Sequence, residues 1–179
     1  FAQLSGSGSA GEASFSLKTK RGNLKRTLEL LGEVLRNPTI PESELEIIRN
    51  SAVTSLEQGS SEPTALAQRA AQKRISPYRK GHPLYTPSIP EEIEMVKAVT
   101  VEDIKNLYAE FLNGANGELS VVGDFDSEAT LAQIKSILDG WDSEQPYARI
   151  RKRGQQKLKA ETEDINTPDK ANAMYFAVT

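Results

Sequence analysis

At 179 residues and 37% hydrophobic content, the chain is long enough for one good-sized domain or one and a half small ones, with enough apolar residues to build a core. A net charge of −3 sets up no global field toward nucleic acid or a membrane surface. The lack of cysteine removes disulfides, thiolate nucleophiles and every Cys-based metal site, while fitting a periplasmic or a cytosolic home equally. No apolar run is long enough to span a bilayer, and no basic region followed by an apolar stretch marks a leader. Because residue 1 is Phe rather than Met, the expectation is of a segment of a longer protein.

Taken in chain order, Phe1 to Ser5 and Ser14 to Thr19 are short extended segments, the second placing Phe15, Leu17 and Thr19 on one face. The Gly/Ser/Ala run between them reads as a linker, so the pair forms a loosely connected hairpin. From Leu24 the period turns helical: Leu24, Leu28, Leu31 and Leu35 make one stripe behind an Asn23 cap, and the run ends at Asn37-Pro38. Thr39-Ile40-Pro41-Glu42 has the form of a capping box opening a second helix, with Leu45, Ile48, Ala52 and Leu56 inward. Ser61-Glu62-Pro63 starts a third, with Leu66, Ala70 and Ile75 inward, stopped before Pro77.

Ser76 to Pro90, rich in Pro, Gly and Tyr and without a period, predicts a long surface loop. Two further capping boxes, Ser88-Ile89-Pro90-Glu91 and Thr100-Val101-Glu102-Asp103, open a short helix and a longer one whose apolar positions are Ile104, Leu107, Tyr108 and Phe111. Glu118 to Gly123 predicts a strand, Asp124-Phe125-Asp126 a turn and cap, and Leu131, Ile134 and Leu138 a closing helix that ends near Gly140, with Trp141 capping the unit. Ser143 to Pro146 reads as a linker, Tyr147 to Arg153 as an extended basic strip, and Ala173 to Val178 as a β-rich run.

The motifs that could carry chemistry are weak. Gly6-Ser7-Gly8-Ser9-Ala10-Gly11 fits G-x-G-x-x-G, but a strand follows it where the dinucleotide fingerprint needs a helix inside a βαβ unit. His82 is the sole histidine, too little for a typical zinc site, and no nucleophile elbow exists for it to serve; a loop residue packing on Tyr85 or facing water is expected. Glu42, Glu44, Glu46 and Glu57, with Glu91, Glu92 and Glu94, fall in first turns or on polar faces, where helix dipoles and solvent favour carboxylates without any acid–base role. Arg149, Arg151, Lys152 and Arg153 could meet phosphates or an acidic partner, yet lack interleaved aromatics and have Glu161, Glu163 and Asp164 close behind. The reading assigns no catalytic, cofactor-binding or metal-ligating residue to the chain.

The order of a helix, Leu35 to Glu46 (LRNPTIPESELE), a long helix, Ser61-Glu62-Pro63 and Gly81-His82-Pro83 resembles the insulinase/pitrilysin family of zinc metallopeptidases, the inverted zincins. Val99 to Ile104 (VTVEDI) and Val121 to Asp126 (VVGDFD), ending on Gly140-Trp141, are similar to the later part of the same family's domain, so the likeness covers most of residues 13 to 142. It implies an α+β fold: a two-layer α/β sandwich with several helices on one face of a mostly antiparallel sheet. It also implies that zinc is held elsewhere, by an H-x-x-E-H helix and a downstream Glu, in a catalytic domain. This sequence has no H-x-x-E-H. Aligning Glu44-Leu45-Glu46 and Pro63 with the family puts Thr54-Ser55 where the downstream ligand is expected; Glu57, two residues on, is rotated by roughly 200° around the helix and cannot stand in.

The resemblance therefore implies a non-catalytic domain of a bacterial insulinase-like zinc peptidase, helping to enclose and position peptide substrate for a catalytic domain of the same or a partner chain. No cofactor is expected in this segment, with zinc in the parent's catalytic domain; no nucleic acid and no membrane insertion are expected, and the periplasm is the compartment the family suggests. The expected division is residues 1–142 as the non-catalytic domain without its N-terminal part, 143–172 as a linker carrying the basic strip, and 173–179 as the first strand of a following domain. The alternative is a structural or assembly subunit related to processing peptidases, with no proteolytic role. A weaker third reading is a free-standing ligand-binding domain built on the loop around His82 and Tyr85.

Overall fold

The computed structural model describes residues 1–143, 145–155 and 157–178. The chain is α+β. In order it forms β1 (Ala2–Ser9), β2 (Glu12–Thr19), a 3-10 turn (Arg21–Asn23), α1 (Leu24–Arg36), α2 (Glu42–Gly59), α3 (Pro63–Ile75), α4 (Ile89–Ala98), α5 (Val101–Phe111) and α6 (Ser127–Leu138). Two compact units emerge, each assembled from two stretches of chain: residues 1–41 with 101–149, and residues 42–100 with 150–179.

In the first unit the hairpin is longer than the sequence suggests. The Gly/Ser run is no linker: it is the second half of β1, pairing antiparallel with β2 through Leu4 opposite Leu17, Gly6 opposite Phe15 and Ser9 opposite Glu12. The turn is only Ala10-Gly11, and Gly11 supplies the positive φ of 81° that closes it. Phe15, Leu17 and Thr19 share the more covered face, as their alternation predicts. In α1, Leu28 and Leu35 are buried and Leu24 and Leu31 half-buried, so the apolar stripe is the one the periodicity gives. Asn23 does stand at the helix start, but its side chain makes no cap; its carbonyl instead accepts the Thr27 hydroxyl at 2.8 Å.

α6 packs on α1. Gly32 permits the approach, since a Cβ there would meet Ile137 Cγ2 at 3.2 Å. Arg36 donates to the carbonyls of Ile137 (3.1 Å) and Asp139 (2.7 Å) at the end of α6, satisfying acceptors the helix leaves open. The Asp126 carboxylate caps the start of α6, accepting the Ala129 N–H at 3.0 Å. Three expected inward residues face out: Leu131 is exposed while Thr130 and Ile134 are buried, and in α5 Leu107 and Phe111 are exposed while Ile104 and Tyr108 are half-buried. Glu118 to Gly123 is a correction as well: it forms no ladder with any described residue, because β-propensity cannot make a strand without a hydrogen-bonded neighbour.

In the second unit α2 begins at Glu42, two residues later than a Thr39 cap requires. Leu45 is buried, but Ile48 is exposed and Arg49 takes the inward place between Leu45 and Ala52. Its guanidinium donates to the Val99 carbonyl at 2.7 Å and pairs with Glu42 at 3.6 Å. α3 starts with Pro63 at its first position and stops at Ile75, before Pro77, as predicted. α4 packs on α2, with Arg69 of α3 reaching Glu92 (2.6 Å) and the Pro87 carbonyl (2.9 Å). The run after residue 150 is tied to the helices by ion pairs of Glu161 with Arg74 and Lys170 with Glu62. Ala173 to Val178, like 118–123, finds no ladder partner among the described residues.

Candidate functional site

The position at which the resemblance expects the downstream zinc ligand lies on the fourth turn of α2. Thr54 and Ser55 are both exposed, and the Thr54 hydroxyl donates to the Asn50 carbonyl at 2.9 Å, a backbone contact that Thr commonly makes inside helices. Neither offers a carboxylate. Glu57 is exposed on a different side of the same helix, as its offset from Thr54-Ser55 requires. Among the described residues no three of His, Cys, Asp and Glu converge as metal ligands. Among the described residues the donors present therefore do not fit the zinc that the resemblance implies for a catalytic domain.

The loop before α4 holds the densest polar cluster. Glu91 sits at the third position of α4, and its carboxylate accepts the Ser88 backbone N–H (2.9 Å), the Ser88 hydroxyl (3.0 Å), the Tyr85 hydroxyl (3.2 Å) and the Lys80 ammonium (3.2 Å). The Ser88 hydroxyl accepts the Glu91 N–H in return, so the predicted capping box is complete. These bonds, those from Ser88 first, lower the Glu91 pKa from 4.5 to about 2. Tyr85 is pushed the other way, raised first by its removal from water and then by its hydrogen bond to the Glu91 carboxylate. A carboxylate so fully engaged caps a helix; it is not poised to move protons near neutral pH.

His82 does not pack on Tyr85. It stacks on Tyr78, with ring centroids 4.3 Å apart and planes inclined by 16°. Its Nδ1 accepts the Leu84 N–H at 3.0 Å, which leaves Nε2 as the position for the ring proton in the neutral form. The imidazole is thus part of a turn, its contacts among the described residues being the Tyr78 ring and the Leu84 N–H. The Gly6 to Gly11 motif lies in the hairpin, with Gly6 facing the Phe15 ring, and no helix follows to receive a phosphate.

Pattern reading missed two features. A cavity of about 460 Å³ in the first unit is lined mainly by Leu35, Pro38, Ile40, Tyr108 and Trp141, with Lys105 at its wall. Its walls come from separate elements, and Arg36 beside it is already spent on backbone carbonyls, so no convergent polar set arms it. The second is the seating of the basic strip against the loop: the Tyr78 hydroxyl donates to the Arg151 carbonyl (2.8 Å) and accepts the Arg153 N–H (2.5 Å). No local signal joins residues so far apart in sequence.

The chain is an α+β domain in which Thr54 and Ser55 hold the position where the resemblance expects a zinc-binding glutamate. Residues 98–179 match the family model described as the peptidase M16 inactive domain. Among solved structures the chain is similar to the peptidase M16 inactive domain from Pseudomonas fluorescens, at 24% identity with a TM-score of 0.61, over 83% of this chain and 36% of that one. The chain thus spans about a third of the length of that structure. No curated protein matches it. The family-model match agrees with the resemblance to the insulinase/pitrilysin peptidases over residues 98–179, and the structural likeness shows a shared fold. The family match begins at Ala98 and runs on through the basic strip, beyond the stretch to residue 142 on which the likeness was read.

Proposed function

We propose that the chain acts as a non-catalytic domain of a bacterial insulinase-like zinc peptidase, enclosing peptide substrate and presenting it to a catalytic domain of the same or a partner chain. The observation that carries this reading is Thr54-Ser55: exposed hydroxyls stand where a zinc-binding glutamate is expected, inside a fold shared with a peptidase M16 inactive domain. The remaining work is non-covalent. Exposed apolar side chains such as Val122, Tyr175 and Phe176 supply surface for burying a peptide or a neighbouring domain. Zinc belongs to the catalytic domain, and the compartment we assign is the periplasm, on the resemblance alone.

The test is equilibrium dialysis against zinc together with a quenched-peptide cleavage assay on the purified chain. Neither stoichiometric zinc uptake nor zinc-dependent turnover is expected. Cleavage that rises with zinc and stops with a chelator would overturn the reading.

A further inference from the structure

Two stretches of the second unit are free of Asp and Glu: residues 70–81 (AAQKRISPYRKG) and 150–160 (IRKRGQQKLKA). Between them they carry Lys73, Arg74, Arg79 and Lys80, and Arg151, Lys152 and Arg153, with Lys157 and Lys159 farther along the second. The fold lays one along the other. Tyr78 bridges the Arg151 carbonyl and the Arg153 N–H, and the Gln155 N–H donates to the Ile75 carbonyl at 3.0 Å. The bonded groups fall on alternate residues, 151, 153 and 155, which is the periodicity of one edge of extended backbone. Tyr78 is itself fixed by its stack on His82.

A bland account covers part of this charge. Lys73 and Arg74 lie in the last turn of α3, where the helix dipole favours cations, and Arg74 and Lys80 are paired with Glu161 and Glu91. It does not cover Arg79, Arg151, Lys152 and Arg153, which are exposed and for which the described residues provide no ion pair. Holding four like charges on a pinned backbone is unfavourable in itself, and the cost is returned only when an anionic group meets them. Because the backbone is already ordered, little further entropy is lost on contact.

The surroundings select the kind of anion. Glu161, Glu163 and Asp164 follow the basic stretch, with Glu161 on Arg74, and the chain as a whole is net negative, so an extended polyphosphate running past the seam meets repulsion. The aromatic faces beside it, Tyr78 and His82, are stacked on each other rather than open to bases. A short run of carboxylates suits guanidinium groups, which bind them bidentately.

We propose that the seam between residues 73–80 and 151–155 docks a short acidic stretch of polypeptide, with Arg79, Arg151, Lys152 and Arg153 as its anchors. This goes beyond the enclosing role and does not depend on it. The test is fluorescence anisotropy of a dye-labelled octaglutamate peptide titrated with the full chain at low and rising salt. Binding that weakens with salt, and by about tenfold or more in Arg151→Glu with Arg153→Glu, is expected. Lys18→Glu with Lys25→Glu, which reverses as much charge elsewhere, should leave it nearly unchanged, with circular dichroism confirming that both variants fold. No binding of the peptide, equal loss in the two double variants, or tighter binding of a thymidine oligonucleotide of matching charge would each overturn the proposal.

Discussion

Glu91 shows how a single side chain can look catalytic and be structural. Its carboxyl is depressed to about 2 because Ser88, Lys80 and Tyr85 all donate to the ionised form, Ser88 most strongly. A group whose pKa is lowered on folding stabilises the folded state above its unfolded pKa, and that contribution fades as the pH falls through the folded value. The start of α4 should therefore be fully supported above about pH 5 and lose that support toward pH 2. Urea midpoints measured across this range should show Glu91→Gln less stable than the parent at neutral pH, with the two curves converging at the acid end. A constant difference between them at every pH would sink the capping account. Ser88→Ala should cost about 1 kcal/mol, the usual worth of an N-cap, at neutral pH and less in acid.

At the scale of elements, α2 shows where periodicity stops being decisive. Leu45, Ile48, Ala52 and Leu56 fit a helical stripe, but so do Leu45, Arg49, Ala52 and Leu56, and the fold uses the second. Arg49 is inward because its head finds the Val99 carbonyl and the Glu42 carboxylate, an arrangement that a rule placing charges outside cannot foresee. Leu45→Ala should accordingly cost about 2 to 4 kcal/mol, whereas Ile48→Ala should stay within about 0.5 kcal/mol. Denaturant melts of the two variants decide it, and comparable losses would restore Ile48 to the core. The same contrast explains what was legible elsewhere. The stripe of α1, the Pro63 start, the Ser88 box and the Asp126 cap are local signals and hold. The extent of the hairpin depends on cross-strand register, the outward turn of Leu107, Phe111 and Leu131 on which neighbour each helix meets, and the Tyr78 bridge on residues more than seventy positions apart. The exposure of Thr54 and Ser55 follows from their place off the Leu45, Ala52 and Leu56 stripe of α2.

Over the whole molecule, the balance between buried and exposed apolar side chains sets the behaviour to expect in solution. Among the described residues only Leu28, Leu35, Ile134 and Leu45 form buried apolar positions, the first three in one unit and Leu45 in the other. Large apolar side chains stay exposed in both β-prone segments, Leu119, Val121 and Val122 in one and Met174, Tyr175, Phe176 and Val178 in the other. Their backbone amides have no ladder partner among the described residues, so nothing in the fold slows their exchange beyond local chain effects. The amides of α1 and of the β1–β2 rungs are hydrogen-bonded, and α1 carries two of the four buried leucine and isoleucine side chains. Hydrogen–deuterium exchange read by mass spectrometry should thus find residues 119–122 and 174–178 at near-unprotected rates while α1 exchanges last. Protection of either segment to the level of α1 in the isolated chain would mean that it has found a strand partner, in the same chain or a second copy. A dilution series separates these outcomes, because pairing within one chain persists on dilution and pairing between chains is lost.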